Sequence, residues 1–203
     1  MPVDSRHYYA YHLVMQGRFE EAMREIKIAR DLDPLSPRIS ANVGLFLYFE
    51  RRYDEAVKEL KKALEVDPHH SMTYMYLGWA HEAMGNYEEA VRNYHRSMEL
   101  TAIPVRPSAF LAGCYALMGK REEARKILDN LIEFSKANYL PPVGIAWIYS
   151  ALGEKEQTFA WLEKAFRERD PFLLMFVKPS HVFDPVRSDP RFTALMRKIG
   201  LGK

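Results

Sequence analysis

The sequence predicts an all-α chain of about five helix–turn–helix units stacked in tandem and closed by a C-terminal capping helix. Three observations carry this. An acidic motif returns at a fixed interval, small residues return in register with it, and glycines and prolines fall where helices must end. No cluster of residues along the chain announces a reaction.

The motif reads GRFEEA at 17–22, RRYDEA at 51–56, GNYEEA at 85–90, GKREEA at 119–124 and GEKEQT at 153–158, each starting 34 residues after the last. The interval divides the chain into units 3–36, 37–70, 71–104, 105–138 and 139–172, with 173–203 left as a cap. In the first half of each unit stands a small residue: Ala10, Gly44, Gly78, Ala112 and Ala146. In the second half stand Ala22, Ala56, Ala90, Ala124 and Thr158. Small residues on two antiparallel helices are expected to face each other and let the backbones approach. Large apolar residues lie between them at helical spacing, among them Ile26, Leu60, Tyr94, Leu128 and Leu162, so each helix is amphipathic.

Gly17, Gly85, Gly119 and Gly153 sit between the two halves, where a helix ends and the chain turns. Arg51 replaces glycine in the second unit and makes that turn less favourable. Pro34, Pro37, Pro68, Pro104, Pro107, Pro141 and Pro142 fall between units or in a first helical turn, where a missing N–H costs little. The glutamate pairs at 20–21, 88–89 and 122–123 begin second helices, where negative charge favours the helix dipole.

The last stretch, HVFDPVRSDPRFTALMRKIGLGK at 181–203, falls outside this rhythm. Asp189-Pro190 reads as an N-cap and first helical residue, and Phe192, Leu195, Met196 and Ile199 follow at helical spacing before Gly200 stops the helix. Its apolar face is expected to cover the exposed flank of the fifth unit.

Composition excludes several classes. The net charge is +2, too near balance to announce nucleic acid or a membrane. Residues 171–203 carry six Lys/Arg against two Asp, which reads first as a solvated helix face. A single cysteine, Cys114, allows no internal disulfide and reads as a small buried hydrophobe in a reducing cytoplasm. The longest nearly apolar stretch, 141–153, is short of the roughly 20 residues needed to span a bilayer. His69-His70 are adjacent and diverge on a helix, and His81-Glu82 lacks the second histidine of a zinc site. No catalytic residue, metal or cofactor is expected, and an enzyme with an unrecognised site remains the minor alternative.

The spacing and the small residues resemble the tetratricopeptide repeat, over about residues 3–172. The second unit matches best, through Gly44, Ala56, Leu60, Ala63 and Pro68. The fifth departs from the pattern at Thr158 and carries Asp170-Pro171 one place late, and the family's early Trp is absent, with Tyr74 the nearest substitute. The resemblance implies a right-handed superhelix, a non-enzymatic protein-interaction function, and a concave face lined by the first helix of each unit. The family's groove positions fall here on His7, Tyr11, Arg38, Leu45, Tyr48, Met72, Met75, Trp79, Arg106 and Trp147, with Asn42 beside them, and also on Ala109, Leu140 and Val143. The resemblance thus implies a partner peptide or helix in an aromatic and methionine-lined groove, with Arg38 and Arg106 available to carboxylates. Trp79 and Trp147 read equally as core. The family's chaperone-tail clamp is not expected, because of His7, Tyr11, Asn42, Met72 and Tyr76 only Asn42 matches it. The closing FDPVRSDPRFTALMRKIGL resembles the end of repeat arrays in bacterial multidomain regulators. That implies a bacterial or archaeal origin, a natural C-terminus, and a second reading as the sensory module of a larger cyclase, kinase or transcription regulator. Self-association through the uncovered face of the first helix, at Tyr8, Tyr9 and His12, is a further expectation.

Overall fold

A computed structural model describes residues 2–201 and is helical throughout, with no strand among the described residues. The helices fall into two compact units, one running through Ala102 and the other starting at Ile103.

The N-terminal unit holds three helix pairs: α1 (Val3–Met15) with α2 (Phe19–Leu32), α3 (Pro37–Phe49) with α4 (Tyr53–Val66), and α5 (Ser71–Ala83) with α6 (Tyr87–Leu100). First and second helices differ because their surroundings differ. α3 is buried at every residue from Ile39 to Phe49, since α1, α2, α4 and α5 all pack against it. α4 buries only Ala56, Val57, Leu60 and Ala63 and keeps its charged face in water. α2 and α6 follow α4, each with a narrow buried stripe and two acidic residues in the first turn.

The first helices end in a shared geometry. The amide of Gly17 bonds to Val14 O at 2.9 Å and that of Arg18 to Leu13 O at 2.9 Å, a Schellman pair that needs a left-handed residue. Gly17 supplies it with φ +77°, and Arg51 adopts the same conformation at φ +63°. The second repeat therefore makes the same turn as the others and bears the strain of a side chain in it.

Gly44 lies against the backbone of Ala56, whose carbonyl oxygen would stand 3.1 Å from an added Cβ, but the tightest neighbours of Gly44 and Gly78 are large side chains. A Cβ placed on Gly44 would lie 2.4 Å from Leu60 Cγ, and one on Gly78 would lie 2.3 Å from the Tyr94 ring. At Gly44 and Gly78 the closest approach is small against large: each is the hole that a buried knob of the partner helix fills. Tyr94 then donates a buried hydrogen bond to Glu82 at 2.9 Å.

The C-terminal unit contains α7 (Val105–Leu117), α8 (Arg121–Ser135), α9 (Pro142–Ala151) and α10 (Lys155–Arg167), followed by a short α11 (Leu173–Phe176), a 3₁₀ helix (His181–Val186) and α12 (Pro190–Lys198). Ala112, Ala124, Leu128, Ile145, Ile148 and Leu152 form its core. Asp189 caps α12 by accepting from Arg191 N at 2.9 Å, and Gly200 ends the helix with φ +77°.

The closing stretch is tied to the fifth helix pair by contacts roughly one repeat length apart. Arg191 pairs with Glu156, and Lys198 with Glu163, both at a separation of 35 residues. Ser150 donates to Val182 O at 2.6 Å, 32 residues on. One interval past Ala146 stands Ser180, fully buried, and one interval past Leu162 stands Met196, also buried. The cap thus packs back on the fifth helix pair through α9 and α10. Its helical course is broken into α11 and the 3₁₀ helix because Pro179 and Pro185 remove amide donors and obstruct the preceding turn. Residues 202 and 203 of the expected cap lie outside the described residues.

Candidate functional site

In the N-terminal unit the inner positions expected to line a groove are mostly filled. Leu45 is 0% exposed, Tyr48 1%, Met75 2% and Trp79 1%. Tyr48 and Trp79 approach at 5.9 Å between ring centres, and Tyr76 and Trp79 at 5.1 Å. Aromatics at these positions bury against one another, because a large apolar ring gains more from a packed neighbour than from water. Of the expected groove residues here, Arg38 is exposed, and Tyr11 and Met72 are partly so.

His7, Asn42 and Tyr11 form a polar joint between α1 and α3. Tyr11 Oη donates to Asn42 Oδ1 at 2.9 Å, which turns the Asn42 amide nitrogen toward His7 Nε2 at 2.5 Å. Nε2 accepts this bond, so the ring proton sits on Nδ1, which is buried without a partner. Burial, and secondarily the charge of Arg38, lowers the His7 pKa to about 4, against the opposing pull of Asp4. Burial likewise raises Tyr11 to about 12. The joint is neutral at pH 7 and serves to hold two helices. Arg38 lies outside it and pairs with Asp4 at 2.8 Å.

The C-terminal unit is different. It holds an apolar cavity of about 230 Å³ open to the surface. α7 contributes Val105, Arg106, Ala109 and Phe110. The approach to α9 contributes Tyr139, Leu140 and Pro141, and α9 itself Val143 and Gly144. Phe172 and Phe176 close the far wall. Arg106, Ala109, Leu140 and Val143 stand at inner positions of the repeat and line this cavity, with Ala109, Leu140 and Val143 themselves buried in its wall.

Local structure shapes this wall. Asp170 is 4% exposed, and its carboxylate accepts from Val143 N at 2.9 Å and Phe172 N at 2.8 Å. It caps α9 from a distance, after Pro141 and Pro142 have left that helix without a capping side chain of its own. The same carboxylate fixes the turn that carries Phe172. Burial pushes the Asp170 pKa up, and the two backbone amides pull against it. Trp147 is 1% exposed, within 4.9 Å of Phe110 and 6.0 Å of Phe183 between ring centres. A Cβ on Gly113 would lie 2.6 Å from its ring, so this Trp is a floor element and presents no surface to a ligand.

Arg106 puts a charge at the rim. Its guanidinium carbon lies 4.9 Å above the Phe172 ring centre, and among the described residues no carboxylate pairs with it. A larger depression between α2 and α4, about 570 Å³, is lined by Lys27, Arg30, Lys58, Glu55 and Glu59 among others. Some of its charges pair, as in Arg30–Glu59 and Lys62–Glu59, and its lining is charged where that of the C-terminal cavity is apolar. Cys114 is buried, and His70 Nδ1 is engaged by the Thr73 hydroxyl at 2.8 Å. Among the described residues no three side chains of metal-binding type come together, and no helix is long and apolar enough to cross a membrane. The cavity escaped the sequence reading because Ile103, Tyr139, Phe172 and Phe176 lie in connections and in the cap, away from the inner helix positions. The available signal was the run of aromatics following Asp170-Pro171.

Tetratricopeptide-repeat models match residues 36–102 and 111–134. No relative was found among curated proteins. Among solved structures, the chain is similar to a thermophilic TPR protein of Thermus thermophilus, at 18% identity and a TM-score of 0.67, covering 86% of this chain and 100% of that one. It is similar to PilW, described as a widely conserved type IV pilus biogenesis factor, at 13% identity and a TM-score of 0.61, covering 98% and 86%. It is also similar to PilF of Pseudomonas aeruginosa, at 17% identity and a TM-score of 0.60, covering 99% and 93%. At these identities the likeness is one of fold.

Proposed function

We propose that this chain, a tetratricopeptide repeat protein, is a non-enzymatic interaction module that anchors a partner polypeptide in the cavity of its C-terminal unit. One observation carries the reading. Inner positions of α7 and α9, together with exposed Ile103 and Tyr139, line an apolar cavity of about 230 Å³, at the rim of which stands Arg106. Apolar pockets with one or two placed polar groups are the usual form of a binding site. His7, Asn42 and Tyr11, the polar cluster of the N-terminal unit, are spent on joining helices.

The groove residues of the N-terminal unit have a reduced role in this proposal. Arg38, Met72 and Tyr11 offer secondary contacts, and Leu45, Tyr48, Met75 and Trp79 act by supporting the face beneath them. The test is substitution of Ala109 by Trp, which fills the cavity from α7. Binding of any partner selected on the wild-type chain should fall at least about ten-fold, the scale of one lost apolar anchor, while Arg38→Ala should change it less than about three-fold. The reverse ranking, in a variant shown by circular dichroism to be folded, would refute the assignment.

A further inference from the structure

We infer that the cavity takes a bulky apolar side chain of a peptide that also carries an aspartate or glutamate beside that residue, the carboxylate pairing with Arg106. This rests on the interaction-module reading and adds the chemistry of the partner. The size comes first. A protein cavity of roughly 150 Å³ admits benzene, so about 230 Å³ accommodates a Phe, Leu or Trp side chain. Phe110, Leu140 and Phe176 give it an apolar lining.

The charge then limits what can enter. Filling the cavity removes water from beside Arg106, and a purely apolar occupant would strand that cation. Among the described residues Arg106 has no carboxylate partner. Asp170, which fixes the turn carrying Phe172, already accepts from two backbone amides. A contact of the guanidinium carbon with a ring, at 4.9 Å, leaves the N–H groups of Arg106 to be satisfied by an acceptor such as a carboxylate. The compensating anion must therefore arrive with the ligand. The rim argues for a peptide over a small free acid. Ile103 is 60% exposed and Tyr139 62%, so apolar contact continues past what one side chain can cover.

The test uses a library of short random peptides, displayed with their C-termini fused so that no terminal carboxylate is free, and selected on the immobilised full chain and on its Arg106→Gln variant. Thermal melting first confirms that the variant is folded. The expected result on the wild type is enrichment of Phe, Leu or Trp with Asp or Glu adjacent or one residue away. On Arg106→Gln the acidic preference should vanish while the apolar one stays. An individual selected peptide should bind the variant about ten-fold more weakly, and its Glu→Gln form should bind both proteins alike. Apolar enrichment without acids on the wild type would overturn the carboxylate inference and leave the module reading standing. No enrichment of bulky apolar residues would overturn both.

Discussion

Gly78 and Gly144 are both helical glycines, yet the same change should act oppositely on them. A Cβ on Gly78 meets the Tyr94 ring at 2.3 Å, against buried side chains that cannot retreat. Overpacking of about 1–3 kcal/mol outweighs a propensity gain of at most about 1 kcal/mol, so Gly78→Ala should lower stability. At Gly144 the new Cβ meets only Ala109 Cβ, at an ordinary 3.5 Å, and Gly144→Ala should be neutral or stabilising by about 0.5 kcal/mol. Urea midpoints for the two variants decide this. Arg51 is a second local test. Its left-handed conformation costs roughly 1–2 kcal/mol, partly offset by the greater freedom glycine has when unfolded. Arg51→Gly should therefore raise stability by about 0.5–1 kcal/mol, and an unchanged midpoint would mean the residue is not strained. His7 gives a pH dependence. Its pKa is about 4 when folded and near 6.5 when unfolded, so the unfolded chain binds the extra proton between those values. Stability should fall as pH drops from about 6.5 to about 4, by on the order of 2–3 kcal/mol from this residue. His7→Gln should flatten that part of the profile, and an identical profile would show that the ring is not held neutral by the fold.

Among the helices and their connections, the cap tests most. Phe183 is fully buried and lies 6.0 Å from the Trp147 ring centre. Phe183→Ala should cost about 3–5 kcal/mol and shift tryptophan emission to the red as Trp147 meets water. An unshifted spectrum would mean that the cap does not cover Trp147. The helices themselves were legible from sequence because their signals are local: the acidic first turns, the small residue at a fixed place, and the glycine after most first helices. What faces what was less legible. Spacing locates Gly44 and Gly78 but cannot show that Leu60 and Tyr94 fill the space they leave, since that depends on the crossing of two helices. The docking of the cap was hidden for a related reason. Pro179 and Pro185 interrupt the helical period, while Arg191–Glu156 and Lys198–Glu163 tie α12 to α10.

Across the chain, each unit is built from contacts between neighbouring repeats, the pattern expected of a linear array. Such an array gives most inner positions a structural task. That is why a roll of aromatic inner residues overstated the open surface: Tyr48, Trp79 and Trp147 serve the packing. The cavity arises where the array departs from regularity, at the double proline opening α9, the remote cap from Asp170 and the aromatics that follow it. None of these is a repeat position, so periodicity could not find them. Of the expected inner residues, Arg106, Ala109, Leu140 and Val143 do lie at that opening, and Arg106 brings the charge. The most direct measurement is a crystal structure of the full chain with a selected peptide. It should show an apolar side chain among Phe110, Leu140 and Phe176, with a peptide carboxylate on Arg106. A peptide seated on the face of Arg38 and Met72, with the Arg106 cavity empty, would contradict the account.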